Sequence, residues 1–170
     1  MNLKEKIAEI PDFPKKGILF RDISPLLRDP SALSLVVDEF VKLYHSNEID
    51  VFAGIESRGF PLACALALRY NKGMIMIRKQ GKLPGDTKKI SYNIEYGSAT
   101  MEIQNNSITK GQRVLICDDL LATGGTAKAA AKLIEEIGGI VTGFAFIIEL
   151  TDLRGSTKIK KYRHESLVKY

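Results

Sequence analysis

Two cysteines and two histidines are the whole supply of soft metal ligands and disulfide partners in these 170 residues. Cys64 and Cys117 sit in apolar segments, and His45 and His164 have no partner at metal-ligand spacing. Neither a structural zinc nor a disulfide is expected, and both cysteines read as small buried hydrophobes. Long apolar runs are missing too: none approaches the roughly 18 to 20 residues of a membrane span. The opening MNLKEKIAEI interleaves charged and apolar residues without a signal-peptide core, which predicts a cytoplasmic protein with no membrane partner. No Gly-, Ser- or Pro-rich linker and no internal repeat divides the chain, so residues 1–170 are expected to form a single domain. The net charge is only +5. A solvated basic face or an anionic substrate accounts for it, and no aromatic-basic pattern argues for nucleic acid.

What the chain does contain is an alternation of strand-like and helix-like segments. Asp29-Pro30-Ser31 offers an N-cap and a first-turn proline, after which Leu33, Val36, Val37, Phe40, Val41 and Tyr44 recur on one helical face. VFAGI (51–55) reads as a short buried strand, ESRG as a loop and PLACALALRY as a helix from Pro61. MIMI (74–77) is a strand, IEYGSATMEI is hairpin-like, and VLIC (114–117) and GFAFIIEL (143–150) are further core strands. The C-terminal KIKKYRHESLVKY ends in a last strand or an interface piece. Strands alternating with helices predict an α/β fold with a mainly parallel central sheet flanked by helices. The polar run GKLPGDTKKISYN (81–93) is too long for an ordinary connection and reads as disordered or as a functional flap.

The stretch VLICDDLLATGGTAKAA concentrates the chemistry. Val114 to Cys117 suits a strand buried on both faces. The chain is then expected to leave the sheet, with Asp118 and Asp119 at the strand's carboxyl end, where ligands of open α/β folds sit. Thr123, Gly124, Gly125 and Thr126 follow, then a helix from Ala127 to Ile137 closed by Gly138 and Gly139. A glycine turn opening onto a helix presents free backbone N–H groups, an anion cradle. Two carboxylates nearby would repel a bare phosphate, so the same ligand must offer them something neutral or cationic. Sugar hydroxyls or a bound Mg²⁺ would serve, and a ribose 5-phosphate has the right reach. The nucleotide-binding P-loop fails because no Lys-Ser or Lys-Thr pair follows Gly125, and the dinucleotide fingerprint G-x-G-x-x-G is absent from this stretch.

CDDLLATGGTA (117–127) resembles the phosphoribosyl diphosphate motif of the type I phosphoribosyltransferases. IPDFPKKGILFRDISPLL (10–27), GIESRGF (54–60), IRKQGKLPG (77–85) and IEYGSATMEIQ (94–104) resemble the adenine phosphoribosyltransferases in particular. The likeness runs from residue 10 to about 155. It implies that residues 1–30 form a base-binding hood and that residues 80–100 form a flexible flap. Asp118 and Asp119 would bind ribose hydroxyls or the metal, and Ala122, Thr123, Gly124, Gly125 and Thr126 would wrap the 5-phosphate. Arg78, Lys79 and Lys82, with Glu56 and Ser57, would hold pyrophosphate, and Glu56-Ser57 would carry a cis peptide. Phe20 would stack on a purine, the backbone of Leu19 would pair with its edge, and Arg58 would contact its far edge. Glu95 would take the ring proton of adenine under a closed flap.

By the same resemblance the reaction would join adenine to phosphoribosyl diphosphate, giving AMP and pyrophosphate. Mg²⁺ would be held mainly through phosphoribosyl diphosphate, so no protein cage is needed. A homodimer is expected. Two rivals stay open: another purine phosphoribosyltransferase, and a non-catalytic sensor of phosphoribosyl diphosphate.

Overall fold

The computed structural model describes residues 1–94 and 97–170. In chain order the strands are β1 (Ala8–Pro11), β2 (Leu19–Asp22), β3 (Val51–Ile55), β4 (Gly73–Lys79), β5 (Thr87–Ile94), β6 (Gly97–Gln104), β7 (Arg113–Leu121), β8 (Ile140–Glu149) and β9 (His164–Lys169). The α-helices are α1 (Ser24–Arg28), α2 (Pro30–Leu43), α3 (Gly59–Tyr70) and α4 (Gly125–Glu136). β1 and β2 form a separate antiparallel pair, and the other strands make a seven-stranded sheet ordered β5-β6-β4-β3-β7-β8-β9. The run from β4 through β3, β7 and β8 to β9 is parallel, while β6 joins β4 and β5 antiparallel. The mainly parallel α/β expectation holds. None of the described helices is long and apolar enough to cross a membrane.

The unbroken apolar strands are explained by their two faces. Phe52, Leu115 and Cys117 pack with α2 and α3, whereas Val51, Ala53, Ile55, Val114 and Ile116 pack with α4. Helices thus cover both sides of the central strands, so both side-chain sets are apolar. Asp29 caps α2 by accepting from Ser31 N at 2.9 Å and Ala32 N at 3.2 Å. Ala32, Val36, Phe40 and Tyr44, four residues apart, are fully buried on its inner face. Leu33, expected there, is only partly buried: the stripe runs one residue earlier, through Ala32.

Three other expectations need correction. Cys117 is buried but Cys64 is exposed, because α3 turns Leu62, Ala63, Leu66 and Ala67 inward and leaves position 64 on its outer side. The acid pair does not leave the sheet. β7 continues to Leu121 because β8 stays paired with it as far as Leu121↔Glu149. Pairing with β3 stops at Gly54↔Cys117, so Asp118 and Asp119 lie inside the strand yet past the end of its neighbour. Finally, of the two readings of the polar run 81–93 the disordered one falls, since much of the run is strand: Thr87 to Ile94 pair with β6 through eight registered positions. Ile90 and Tyr92, two apart, pack against the α4-side core, a period-two signal hidden among lysines and serine.

Candidate active site

The expected cradle segment is an uncapped helix N-terminus where β7 runs into α4. Gly124, at φ 79°, is the N-cap of α4, and no side chain caps the helix. The first intrahelical bond is Lys128 N to Gly124 O at 3.0 Å. The amides of Gly125, Thr126 and Ala127 are therefore left without intrahelical acceptors and face outward from a positive helix end. α4 begins two residues earlier than expected, so the second glycine and Thr126 belong to its first turn. The loop is backed by Gly155: a Cβ there would stand 2.9 Å from Gly124 N and closer still to Ala122 O.

Beside the cradle, Asp119 N donates to Asp118 Oδ1 at 2.9 Å. Burial, then the charge of Asp119, pushes the Asp118 carboxyl well above the usual carboxylate range. Burial also raises Asp119, with the Arg58 guanidinium pulling the other way. Arg58 Nε stands 2.8 Å from Asp119 Oδ2 as an ion pair, but without hydrogen-bond alignment, so this buried oxygen keeps an unused acceptor. Asp119 Oδ2 is therefore open to a hydrogen-bond donor. Among the described residues no group of three or more His, Cys, Asp or Glu side chains converges to hold a metal. A cation here would need oxygens from the ligand itself.

Arg58 also links this pair to the N-terminal hairpin. Its guanidinium carbon lies 4.6 Å from the centre of the Phe20 ring, and Phe20 meets Phe13 edge to face at 5.1 Å. The close packing behind Arg58 depends on Gly59. A Cβ there would be 3.1 Å from Asp118 Cα and closer to Cys117 O, so only glycine lets the first turn of α3 rest on β7 beside the acid pair.

Of the basic residues that end β4 and follow it, Lys79 reaches the same space. Glu56 and Ser57 are joined by a cis peptide. Glu56 accepts from Arg78 Nε at 3.3 Å, Arg78 Nη2 at 3.2 Å and Lys79 N at 2.7 Å. Burial raises the Glu56 carboxyl, but the Lys79 amide and the Arg78 guanidinium outweigh it and hold it below its ordinary value. Arg78 Nη1 donates to Lys82 O at 3.2 Å. Arg78, expected to help hold pyrophosphate, thus bonds both Glu56 and the Lys82 carbonyl.

A cavity of about 280 Å³ unites Glu56, Ser57, Arg58, Lys79, Asp118, Asp119, Ala122, Thr123, Gly124 and Thr126. Arg78, Lys82 and Gly125 adjoin it in sequence without lining it, and Leu19 and Phe20 stand on the hairpin beyond Arg58. Glu95 lies outside the described residues. Sequence reading missed Tyr92, which lines the cavity and whose hydroxyl is 3.4 Å from Thr126 Oγ1. Its signal was the alternation with Ile90. Gly155 offered no local signal at all.

An acid pair and a glycine-opened helix on one parallel strand, facing a basic loop on another, define a phosphoribosyl-transfer class of protein. Residues 26–168 match the family described as phosphoribosyl transferase domain. The adenine phosphoribosyltransferase of Nitrosopumilus maritimus (strain SCM1) is 72% identical over 170 residues, covering 100% of both chains. The crystal structure of adenine phosphoribosyltransferase from Thermoanaerobacter pseudethanolicus superposes with a TM-score of 0.95 at 46% identity, covering 99% of this chain and 98% of that one. The Saccharomyces cerevisiae enzyme, complexed with an imino-altritol bisphosphate and adenine, gives 0.92 at 39% identity, covering 97% and 96%. The chain belongs to the adenine phosphoribosyltransferase family.

Proposed function

We propose that the protein converts adenine and 5-phospho-α-D-ribose 1-diphosphate into AMP and pyrophosphate, a purine-salvage step. The observation that carries this reading is the adjacency of the uncapped α4 terminus and the Asp118–Asp119 pair in one cavity. A 5-phosphate fits the amides of Gly125, Thr126 and Ala127 with the hydroxyls of Thr123 and Thr126. The ribose hydroxyls then fall to Asp118 and Asp119, and donation to these carboxylates favours their ionised forms. The diphosphate extends toward Ser57 and Lys79, with Lys82 nearby and Arg78 supporting the loop from behind.

Adenine enters between Phe20 and the ribose, beside Arg58. Leu19 reads its edge through backbone groups, and a carbonyl facing the 6-amino group accepts from adenine but meets lone pairs of a 6-oxo purine. A buried unpaired acceptor costs ~1–3 kcal/mol, which disfavours the wrong base. In the reaction N9 bonds to C1 of the ribose while the bond from C1 to the diphosphate oxygen breaks, its electron pair leaving with pyrophosphate. The ring proton passes to Glu95, a role carried over from the NIEYG motif. Residues 80–100 act as a flap over the site, and residues 1–30 as a hood on a single domain. Excluding water from a cationic sugar prevents hydrolysis. Mg²⁺, when bound through the substrate and the acid pair, supplies charge neutralisation at the diphosphate. A homodimer and a cytoplasmic location complete the proposal.

The test is product formation from phosphoribosyl diphosphate and Mg²⁺ with adenine, guanine, hypoxanthine or no base. AMP from adenine alone is expected. A nucleotide from another base would refute the base reading, and no nucleotide from any base would refute the reaction.

A further inference from the structure

Behind the basic loop stands a carboxylate that neither the cradle nor the acid pair uses. Glu102, in β6, is 1% exposed. It is registered against Arg78 of β4 on one side and Lys89 of β5 on the other, and directly paired residues project from the same face of a sheet. Yet its oxygens are spent chiefly on the loop. Oε1 accepts from Lys82 N at 3.1 Å and Leu83 N at 2.9 Å, and Oε2 accepts from the Thr87 hydroxyl at 3.3 Å. Lys89 Nζ stays 4.0 Å away. Burial alone would raise this carboxyl, but the loop amides hold it below its ordinary value.

The geometry is that of a frame. Glu56 grips the loop's start through Lys79 N, Arg78 ties Lys82 O, and Glu102 grips its end through Lys82 N and Leu83 N, with Gly81 turning at φ +83° between. An exposed turn needs no buried acid, since water would satisfy its amides at no desolvation cost. What the acid supplies is a fixed loop whose cations remain available. Glu102 binds main-chain amides, and the ammonium groups of Lys79 and Lys82 have no ion-pair partner among the described residues.

We propose that Glu102 is a positioning residue that holds the Lys79–Leu83 loop in shape to receive the diphosphate of the substrate. The proposal rests on the assignment of residues 78–82 to the diphosphate, and it predicts a defect confined to one substrate. Glu102→Gln keeps the shape of the side chain but exchanges the charged acceptor of the two loop amides for a neutral carbonyl oxygen, its carboxamide N–H groups facing the Thr87 hydroxyl, which can accept. Loss of a charged acceptor from a buried network predicts a KM for phosphoribosyl diphosphate raised about tenfold or more, against a KM for adenine and a kcat within about twofold. Lys42→Met, at an exposed lysine of α2 that does not line the cavity, is expected to change neither KM.

Lys79→Ala and Lys82→Ala, measured in parallel, separate the two ways of failing. If either lysine variant raises the KM for phosphoribosyl diphosphate and Glu102→Gln does not, the role of Glu102 is overturned alone. If no variant moves it, the loop's assignment falls, and the proposal with it. Amide exchange in the unaltered protein gives a reading independent of any variant's folding. Protection of Lys82 and Leu83 without substrate is required, and exchange at the rate of an open peptide would overturn the proposal.

Discussion

Substituting Gly155 by alanine probes whether the proposed phosphate cradle depends on a residue that would never touch the ligand. Gly155 lies in a 3-10 turn (Gly155–Ile159) and presses against the loop before α4. A Cβ added there would stand 3.0 Å from the carbonyl carbon of Ala122 and 2.9 Å from Gly124 N, with Ala122 O nearer. Carbon atoms pack comfortably at ~3.5–4.0 Å, so the two backbones must part by about 1 Å. Neither can yield through a side-chain rotation, because each obstructing atom is main chain. Overpacking of this kind costs ~1–3 kcal/mol of stability, which lowers the melting temperature by ~2–4 °C per kcal/mol in a chain of this size. The functional effect should be larger. A displacement of about 1 Å at a positioning element costs on the order of 10²-fold in rate, and here it falls on the amides proposed to hold the 5-phosphate. The assay is kcat/KM for phosphoribosyl diphosphate, together with thermal melting. Gly73→Ala is the control, since a Cβ there meets nothing within 4 Å and no positive φ is involved. A folded Gly155→Ala protein with kcat/KM within about threefold of the parent would refute the reasoning, because the cradle would then tolerate the shift.

Other variants divide the site by function. Asp118→Asn combined with Asp119→Asn is expected to weaken phosphoribosyl diphosphate binding by at least tenfold in calorimetry, each lost charged hydrogen bond being worth ~1.5–3 kcal/mol; unchanged affinity would remove the pair from the ribose. Glu95→Gln is expected to lower turnover ~10²-fold or more while leaving phosphoribosyl diphosphate binding nearly intact, and near-normal turnover would take Glu95 out of the proton step. Away from the site, Asp50 is held far below the usual carboxylate range by the Arg113 guanidinium first and the Arg113 amide second. Its ionised form therefore contributes stability above the unfolded-state value of about 3.9, and that contribution is lost as pH falls toward the lower folded value. Asp50→Asn should melt lower near pH 7 and show a shallower decline in melting temperature below about pH 4; parallel curves for the two proteins would contradict the assignment.

Legibility in the sequence followed the range of the interactions. The central strands could be read because burial on both faces demands continuous apolar runs at 51–55 and 114–117, whatever their neighbours. The α2 cap was equally local, since Asp29 bonds amides two and three residues away. The extent of β7 was not local. Whether Asp118 and Asp119 lie inside or beyond a strand depends on how far β8 runs beside them, and that is a property of residues 146 to 149. The β5 strand was hidden for a related reason. Its outer residues are lysines and serine, and only the pairing with β6 and the contact with α4 reveal Ile90 and Tyr92 as an inward set.

The same distinction governs the site. The groups proposed to face the ligand sit on contiguous motifs because a helix N-terminus or a turn places its own amides. Their supports come from elsewhere: Gly155 backs residues 122–124, Glu102 grips residues 82 and 83 from another strand, and Gly59 admits α3 against Cys117. Each support acts through backbone, by omitting a Cβ or accepting an amide, so none need carry a side chain that looks reactive. Glu102 alone left a trace, as a charged residue between Met101 and Ile103, both buried. A charge on an otherwise buried strand segment must be satisfied by partners brought from outside the strand. Such a residue marks a connection between elements even where, as here, it matches no chemical motif.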